Sequence, residues 1–349
     1  MAETVPPPDG YRGWGDFCFK NPDHEWCEDV RSFYEYKMSM AANATLLALF
    51  SVSLIGFIAT YAITRRGFGF TFAFVAGTIL EILGYGGRIM GAINPWSENG
   101  FLMQICCLTI GPAFLAGGVY LCLRRIVYAF GPENSRIKPE LYTRFVCRPP
   151  LPLSPSSLLT PPPQFIPCDV ISLVLQASGG ALASISSHND EPTTTGDRIM
   201  IAGLSFQVLT LLLFIIATGD FALRVRRRSR TLGATVALDQ SAAAVATRRS
   251  MRFRGLLAAL ALATVCIFWR SVYRVAELSQ GWDGPLMANQ GMFIGFEGVL
   301  IIVACLALNV FHPSFCFREM MEGEGGIGAK RKARKAAEKE AESKGDSSA

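Results

Sequence analysis

The chain is poor in charge and, over most of its length, has no lysine. Only 17% of its 349 residues are Asp, Glu, Lys or Arg while 50% are apolar, a balance that a soluble domain of this size rarely shows. No lysine occurs between Lys138 and Lys330, which excludes a retinal pigment, because its Schiff base needs a lysine in the last span. Histidine is scarce too: His24 and His188 fall on one side of the membrane in the layout below and His312 on the other. They cannot converge on one ion, so a membrane zinc hydrolase is excluded. No Gly-x-x-x-x-Gly-Lys-Ser/Thr loop is present to bind ATP. The N-terminus, with Glu3, a proline run and Asp9, lacks the basic and apolar regions of a cleavable signal. The first span is therefore expected to act as a signal anchor, and no cofactor, metal or nucleic-acid partner is expected.

What the chain does have is seven apolar stretches, at about 41–63, 70–93, 101–123, 168–187, 199–221, 253–276 and 291–312. Each is close to the roughly 20 residues that cross a bilayer as helix. Arginine and lysine crowd every second loop: Arg65 and Arg66, then Arg124, Arg125, Arg136, Lys138, Arg144 and Arg148, then Arg224 to Arg230 and Arg248 to Arg254. The other loops hold only Arg198. The positive-inside rule then predicts an all-α integral membrane protein, a seven-transmembrane helix bundle with its N-terminus outside and its C-terminus cytosolic. The basic loops suit anionic inner-leaflet lipid.

Residues 1–40 read as an extracellular tail, 41–316 as the membrane domain and 317–349 as a disordered cytosolic tail of Lys, Glu, Ala and Gly. In the tail outside, Cys18 and Cys27 are the one cysteine pair in an oxidising compartment, and a disulfide between them is expected. The other eight cysteines read as small packing residues, with Cys316 a candidate for palmitoylation. The sequon Asn43-Ala44-Thr45 lies too near the membrane for glycosylation. Residues 146–164, rich in Pro, Leu and Ser, form a Pro-rich insertion in a cytosolic loop. It starts with Val, whose codons begin GT, and ends with Gln, which CAG encodes, so it also reads as a retained intron. Transcript reads across Phe145 and Phe165 distinguish the two.

Chemistry is expected where polar side chains enter the spans, since an ionisable group at that depth costs on the order of 2.5–3.5 kcal/mol unless paired or hydrated. The second span carries Glu81, Tyr85 and Arg88 on one face, with Gly84 and Gly91 to admit a neighbouring helix. The sixth ends in Arg270, Tyr273, Arg274 and Glu277, and the seventh carries Glu297. The third offers Gln104, Pro112 and Tyr120, the fourth Asp169 and Gln176, the fifth Gln207. Each charge taken singly is as readily a structural pair, Glu81 with Arg88 or Arg274 with Glu277, and Pro112 reads as a tolerated kink. Together, three arginines and four acids cannot all face lipid. They are expected to line a common interior or wet cavity suited to amphiphiles with an apolar tail and a charged head.

These residues resemble the fungal lipid-translocating exporter family of the resistance-to-aminocholesterol type, over roughly residues 40–316. The resemblance rests on Glu81-Ile82-Leu83-Gly84-Tyr85 with Arg88, on Gln104, Pro112, Tyr120 and Arg125-Ile126, and on Asp169, Gln176 and Gly179-Gly180. Gly203-Leu204, Gln207, Arg270, Tyr273-Arg274, Glu277, Asn309, His312 and Pro313 complete it. Two positions depart from the family pattern: Gln290 stands where an acid is usual, and Glu297 where Asp is commoner.

The resemblance implies a non-enzymatic protein of the plasma membrane, or of vacuolar or other endomembranes, that moves sphingoid bases, phospholipids or amphiphilic drugs between leaflets. It implies a role in lipid asymmetry and in drug or sterol-amine resistance. In that reading Glu81, Glu277 and Glu297 meet a cationic head, and Arg88, Arg270 and Arg274 balance them or bind phosphate. A receptor-like lipid or stress sensor with a cytosolic signalling partner, or a regulator of other flippases, is the alternative. It rests on topology alone, since Leu123-Arg124-Arg125 and Asn309-Val310-Phe311-His312-Pro313 lack the receptor motifs.

Overall fold

The structure, a computed structural model, describes residues 14–27, 30, 32, 34, 36, 38–135, 165–188, 192–281 and 284–317. The Pro-rich stretch at 146–164 and the tail beyond 317 lie outside them. Among the described residues, seven helical segments are long and apolar enough to cross a membrane. In chain order the helices are α1 (Trp14–Lys20), α2 (Met40–Thr64), α3 (Phe68–Ile93), α4 (Glu98–Phe130), α5 (Phe165–His188) and α6 (Thr194–Leu232). The short α7 (Ala234–Ala237) and α8 (Ala242–Arg249) precede α9 (Met251–Ser279). The seventh span is composite: α10 (Gln290–Phe293), a π turn (Ile294–Val299), α11 (Leu300–Val310) and α12 (Pro313–Cys316).

Caps and turns fix where the spans begin and end. Ser39 and Ser97 accept from the backbone N–H of Ala42 and Gly100, satisfying otherwise orphaned donors at the starts of α2 and α4. Arg65 in the left-handed region (φ 49°) and Gly67 (φ 70°) turn α2 into α3. Side chains such as Val52, Ile55, Ile63, Val174, Ile185 and Ile216 stand exposed around the bundle. On a soluble protein they would make an aggregating surface; in a bilayer they face lipid.

The helices pack as successive neighbours, α3 along α4, α5 along α6, and α9 against α6 and α11. Contact between α3 and α4 depends on missing side chains: a Cβ on Gly87 would come within 2.6 Å of the Gly100 carbonyl.

The α1 end carries a small lobe. Cys18 and Cys27 are disulfide-bonded there, with Phe17, Trp14 and Trp96 packed around them. Asn94 Nδ2 donates to the Phe19 carbonyl at 2.8 Å and Tyr34 Oη to Gln104 Oε1 at 2.9 Å, so the lobe is tied to the bundle. Burial pushes the Tyr34 phenol above its usual range and holds it as a donor. At the opposite, arginine-rich end, α4 and α6 continue well past the apolar stretches. Asn134 bonds the carbonyls of Phe130 and Ala237 and accepts from Arg228, while Arg248 takes the carbonyls of Ala129 and Asp239. The loop between α6 and α9 is thereby folded against α4.

Burial bears on two of the sequence readings. Asn43 is fully buried, with Oδ1 accepting from Arg88 Nε at 2.9 Å, so burial as well as depth removes it as a glycan acceptor. Cys316 is also buried, its thiol set against the Arg252 carbonyl, which turns it from the surface an acyl donor would approach.

Candidate functional site

A buried ion cluster lies in the half of the bundle nearer the lobe, where α3, α4, α9 and the seventh span meet. The seven-residue spacing of Glu81 and Arg88, close to two helical turns, keeps them with Tyr85 on one inward face of α3. All three are at most 1% exposed. On α9, Arg270, Tyr273, Arg274 and Glu277 share a face through three- and four-residue spacings. Glu297 sits inside the π turn, a widened helical turn of the kind found often at functional sites.

Arg270 links three elements. Its Nη2 donates to Glu297 Oε1 and to the carbonyl of Leu108 on α4. That carbonyl is free because its helical partner would be the amide of residue 112, and Pro112 has none. The proline thus supplies an acceptor as well as tolerating a kink. Arg274 Nη1 binds Glu277 Oε2 at 2.5 Å, its Nε lies 3.9 Å from Glu297 Oε2, and Tyr273 donates to Glu277 Oε1 at 3.1 Å. Arg88 is held separately: Nη2 donates to Tyr36 Oη at 3.0 Å, and the guanidinium lies 3.9 Å over the Phe293 ring.

Glu81 differs from the other two acids. Neither of its oxygens has a hydrogen-bond partner among the described residues, although Arg270 and Arg274 lie within electrostatic range. Bare Cα atoms make the room around it: a Cβ on Gly111 would sit 3.0 Å from Glu81 Oε1. The hydroxyl of Tyr85 and Nη1 of Arg88 and of Arg270 likewise lack partners among the described residues. The cluster therefore holds three guanidinium and three carboxylate groups, with one carboxylate bare. A bare ionised carboxylate is costly at such depth, so the arrangement favours a partner that brings its own positive charge and donors.

The structure does not gather every residue expected to line one interior. Glu81 and Arg88 share a face without pairing, whereas Arg274 and Glu277 do pair. Gln104 is taken by Tyr34 of the lobe, beside the cluster. Asp169, Gln176 and Gln207 form a second polar seam between α5 and α6, nearer the arginine-rich end. There Tyr120 Oη donates to Asp169 Oδ2 at 2.9 Å, Thr210 Oγ1 lies 3.0 Å from Asp169 Oδ1, and Gln176 Nε2 donates to Gln207 Oε1 at 3.0 Å.

Tyr36, Asn43, Phe293, Thr210 and the Leu108 carbonyl escaped the sequence reading. Only the last had a local signal, in the proline four residues on. Among the described residues, no group of His, Cys, Asp and Glu could hold a metal ion.

The chain matches the family described as RTA1 like protein over residues 74–148 and 153–320. It is 30% identical over 294 residues to the sphingoid long-chain base transporter RSB1 of Saccharomyces cerevisiae, spanning 79% of this chain and 72% of that one. It is 26% identical over 238 residues to protoporphyrin uptake protein 1 of the same yeast, covering 68% and 66% of the two chains. Protein RTM1 of Saccharomyces cerevisiae is 25% identical over 235 residues, covering 67% and 64%. No solved structure matches.

Proposed function

The chain belongs to the RTA1-like family, and from that membership and the bare carboxylate of Glu81 we propose that this multi-pass membrane protein moves cationic single-chain amphiphiles, sphingoid long-chain bases foremost, between leaflets. The relative that shares 30% of its residues is named for transport of such bases. Their head is a primary ammonium with hydroxyls beside it. Glu81 is the acceptor for the ammonium, and the unpartnered Tyr85 hydroxyl meets the adjacent head-group oxygen. Glu277 and Glu297, already bound to Arg274 and Arg270, hold the walls of the site in place. Arg88 and Arg270 keep free N–H groups that suit a phosphate, which extends the reading to phospholipids and amphiphilic drugs.

Charge balance favours proton exchange. With the three named acids ionised and an ammonium bound, the cluster carries one positive charge, as it does when empty with a proton on Glu81, so trading the proton for the ammonium leaves its total charge unchanged. Resistance to toxic amphiphiles follows if the direction is outward, with the plasma membrane as the expected site of action.

The test uses proteoliposomes holding only this protein and a fluorescent long-chain base, with and without a proton gradient. Movement faster than in protein-free vesicles, gradient-sensitive and lost in Glu81→Gln, supports the reading. No movement by folded protein overturns it in favour of a sensor or regulator.

A further inference from the structure

A cavity of about 310 Å³ lies between α4, α6 and α9 in the arginine-rich half of the bundle, away from the ion cluster. Its walls are apolar side chains, Val119, Ile126 and Phe130 of α4, Phe214 of α6 and Leu257 and Leu260 of α9 among them. The size is at the lower end of ligand pockets, roughly 300–1,000 Å³. The polar seam adjoins it. Phe214 packs its ring 4.5 Å from that of Tyr120, the donor to Asp169, and Thr210 stands one turn along α6 from Phe214.

Asp169 is a buried carboxylate held only by neutral donors. Among the described residues it makes no ion pair, and the single proton of Thr210 is shared with the Gln207 carbonyl, 2.8 Å away. Further along the seam, Gln176 Oε1 and Gln207 Nε2 are buried without partners among the described residues. A carboxyl group with no charged partner among the described residues thus stands close to an apolar cavity, with the rings of Tyr120 and Phe214 between them.

We infer that this cavity and Asp169 form a second binding site for a single-chain cationic amphiphile, its hydrocarbon tail in the cavity and its ammonium on Asp169. The site rests on the transport reading only for its purpose, as a second station of the head group. Tyr120 follows Gly111, the neighbour of Glu81, by nine residues on α4, roughly 14 Å at 1.5 Å per residue. Glu81 lies midway along α3 and Asp169 four residues into α5 from its arginine-rich start, so the two carboxylates stand at different depths, Asp169 the nearer to the arginine-rich end. A head group crossing between leaflets meets the two acids at different depths.

The test reads binding directly on the full chain in nanodiscs. The probes are an eighteen-carbon primary amine with a diazirine at the tail end and the alcohol of the same length, mapped by peptide mass spectrometry after photolysis. The amine is expected to label residues 119–130, 214–225 and 257–264 more strongly than the alcohol does. Asp169→Asn should lower that labelling at least fivefold, with label near Glu81 unchanged. Ala222→Trp, at an outward-lying position of the cavity wall, should block both probes there without depending on the Asp169 variant folding. Equal labelling by amine and alcohol, insensitive to Asp169→Asn, would show a lipid-filled crevice and overturn the proposal. Label lost from the cavity in Glu81→Gln but not in Asp169→Asn would overturn it as well, by assigning the tail to the first site. Because no step requires translocation, a transport-dead protein can still bind here, and the two readings fail separately.

Discussion

Arg270 takes the carbonyl of Leu108, the helical acceptor that Pro112 leaves without an amide donor. An interior proline costs a helix about 3 kcal/mol relative to alanine, and here the freed carbonyl anchors a guanidinium that also binds Glu297. Pro112→Ala restores an N–H that competes with Arg270 for Leu108. Melting temperature should hold or rise while base movement in proteoliposomes falls several-fold. A fall in both together would mean that the proline serves folding alone.

The Arg270–Glu297 pair is buried on both sides, so removing one partner strands the other. Arg270→Gln or Glu297→Gln should each destabilise by about 3–5 kcal/mol, whereas replacing both by Met should recover much of that, since apolar replacements of buried pairs are often neutral. Thermal unfolding in detergent measures the cycle. Transport should stay lost in the double variant, because stability returns without the charges that hold the site's walls.

Gly111→Ala places a methyl 3.0 Å from Glu81 Oε1 and 3.2 Å from the Gly77 carbonyl. Overpacking of this kind costs typically 1–3 kcal/mol, and here it falls on the one carboxylate left for a ligand. The expected result is weaker binding of a long-chain amine with near-wild-type binding of an uncharged alcohol. Equal loss of both would place the effect in helix packing.

The seven spans were legible because hydropathy reports the bilayer directly. Helix ends were not: the apolar stretches near 101–123 and 199–221 belong to helices ending at Phe130 and Leu232. Arginine is a good helix former, so α6 carries on through Arg224, Arg226, Arg227 and Arg228 after it leaves the apolar zone. Spacing alone put Glu81 and Arg88 on one face, and Arg270, Arg274 and Glu277 on another. It could not say that Arg88 turns to Asn43 and Tyr36, because those contacts join segments 45 and 52 residues away and depend on how the lobe folds back. The division of the acids between two sites was equally hidden, since it follows from which helices are neighbours, α5 against α6 and α3 against α4.

The lobe offers a test of orientation. The disulfide closes a separation of nine residues, and a loop that short contributes about 2–3 kcal/mol on the chain-entropy account. Reduction, or Cys18→Ser with Cys27→Ser, should therefore raise hydrogen exchange over residues 14–27 with little effect on the bundle, whose core is separate. The arginine-rich loops predict that this lobe faces outward. A membrane-impermeant reductant followed by an impermeant thiol reagent should then label Cys18 and Cys27 on intact cells. If labelling needs permeabilised cells, the orientation reverses. Asp169 would then stand between Glu81 and the outer leaflet, exchanging which acid a departing base meets first.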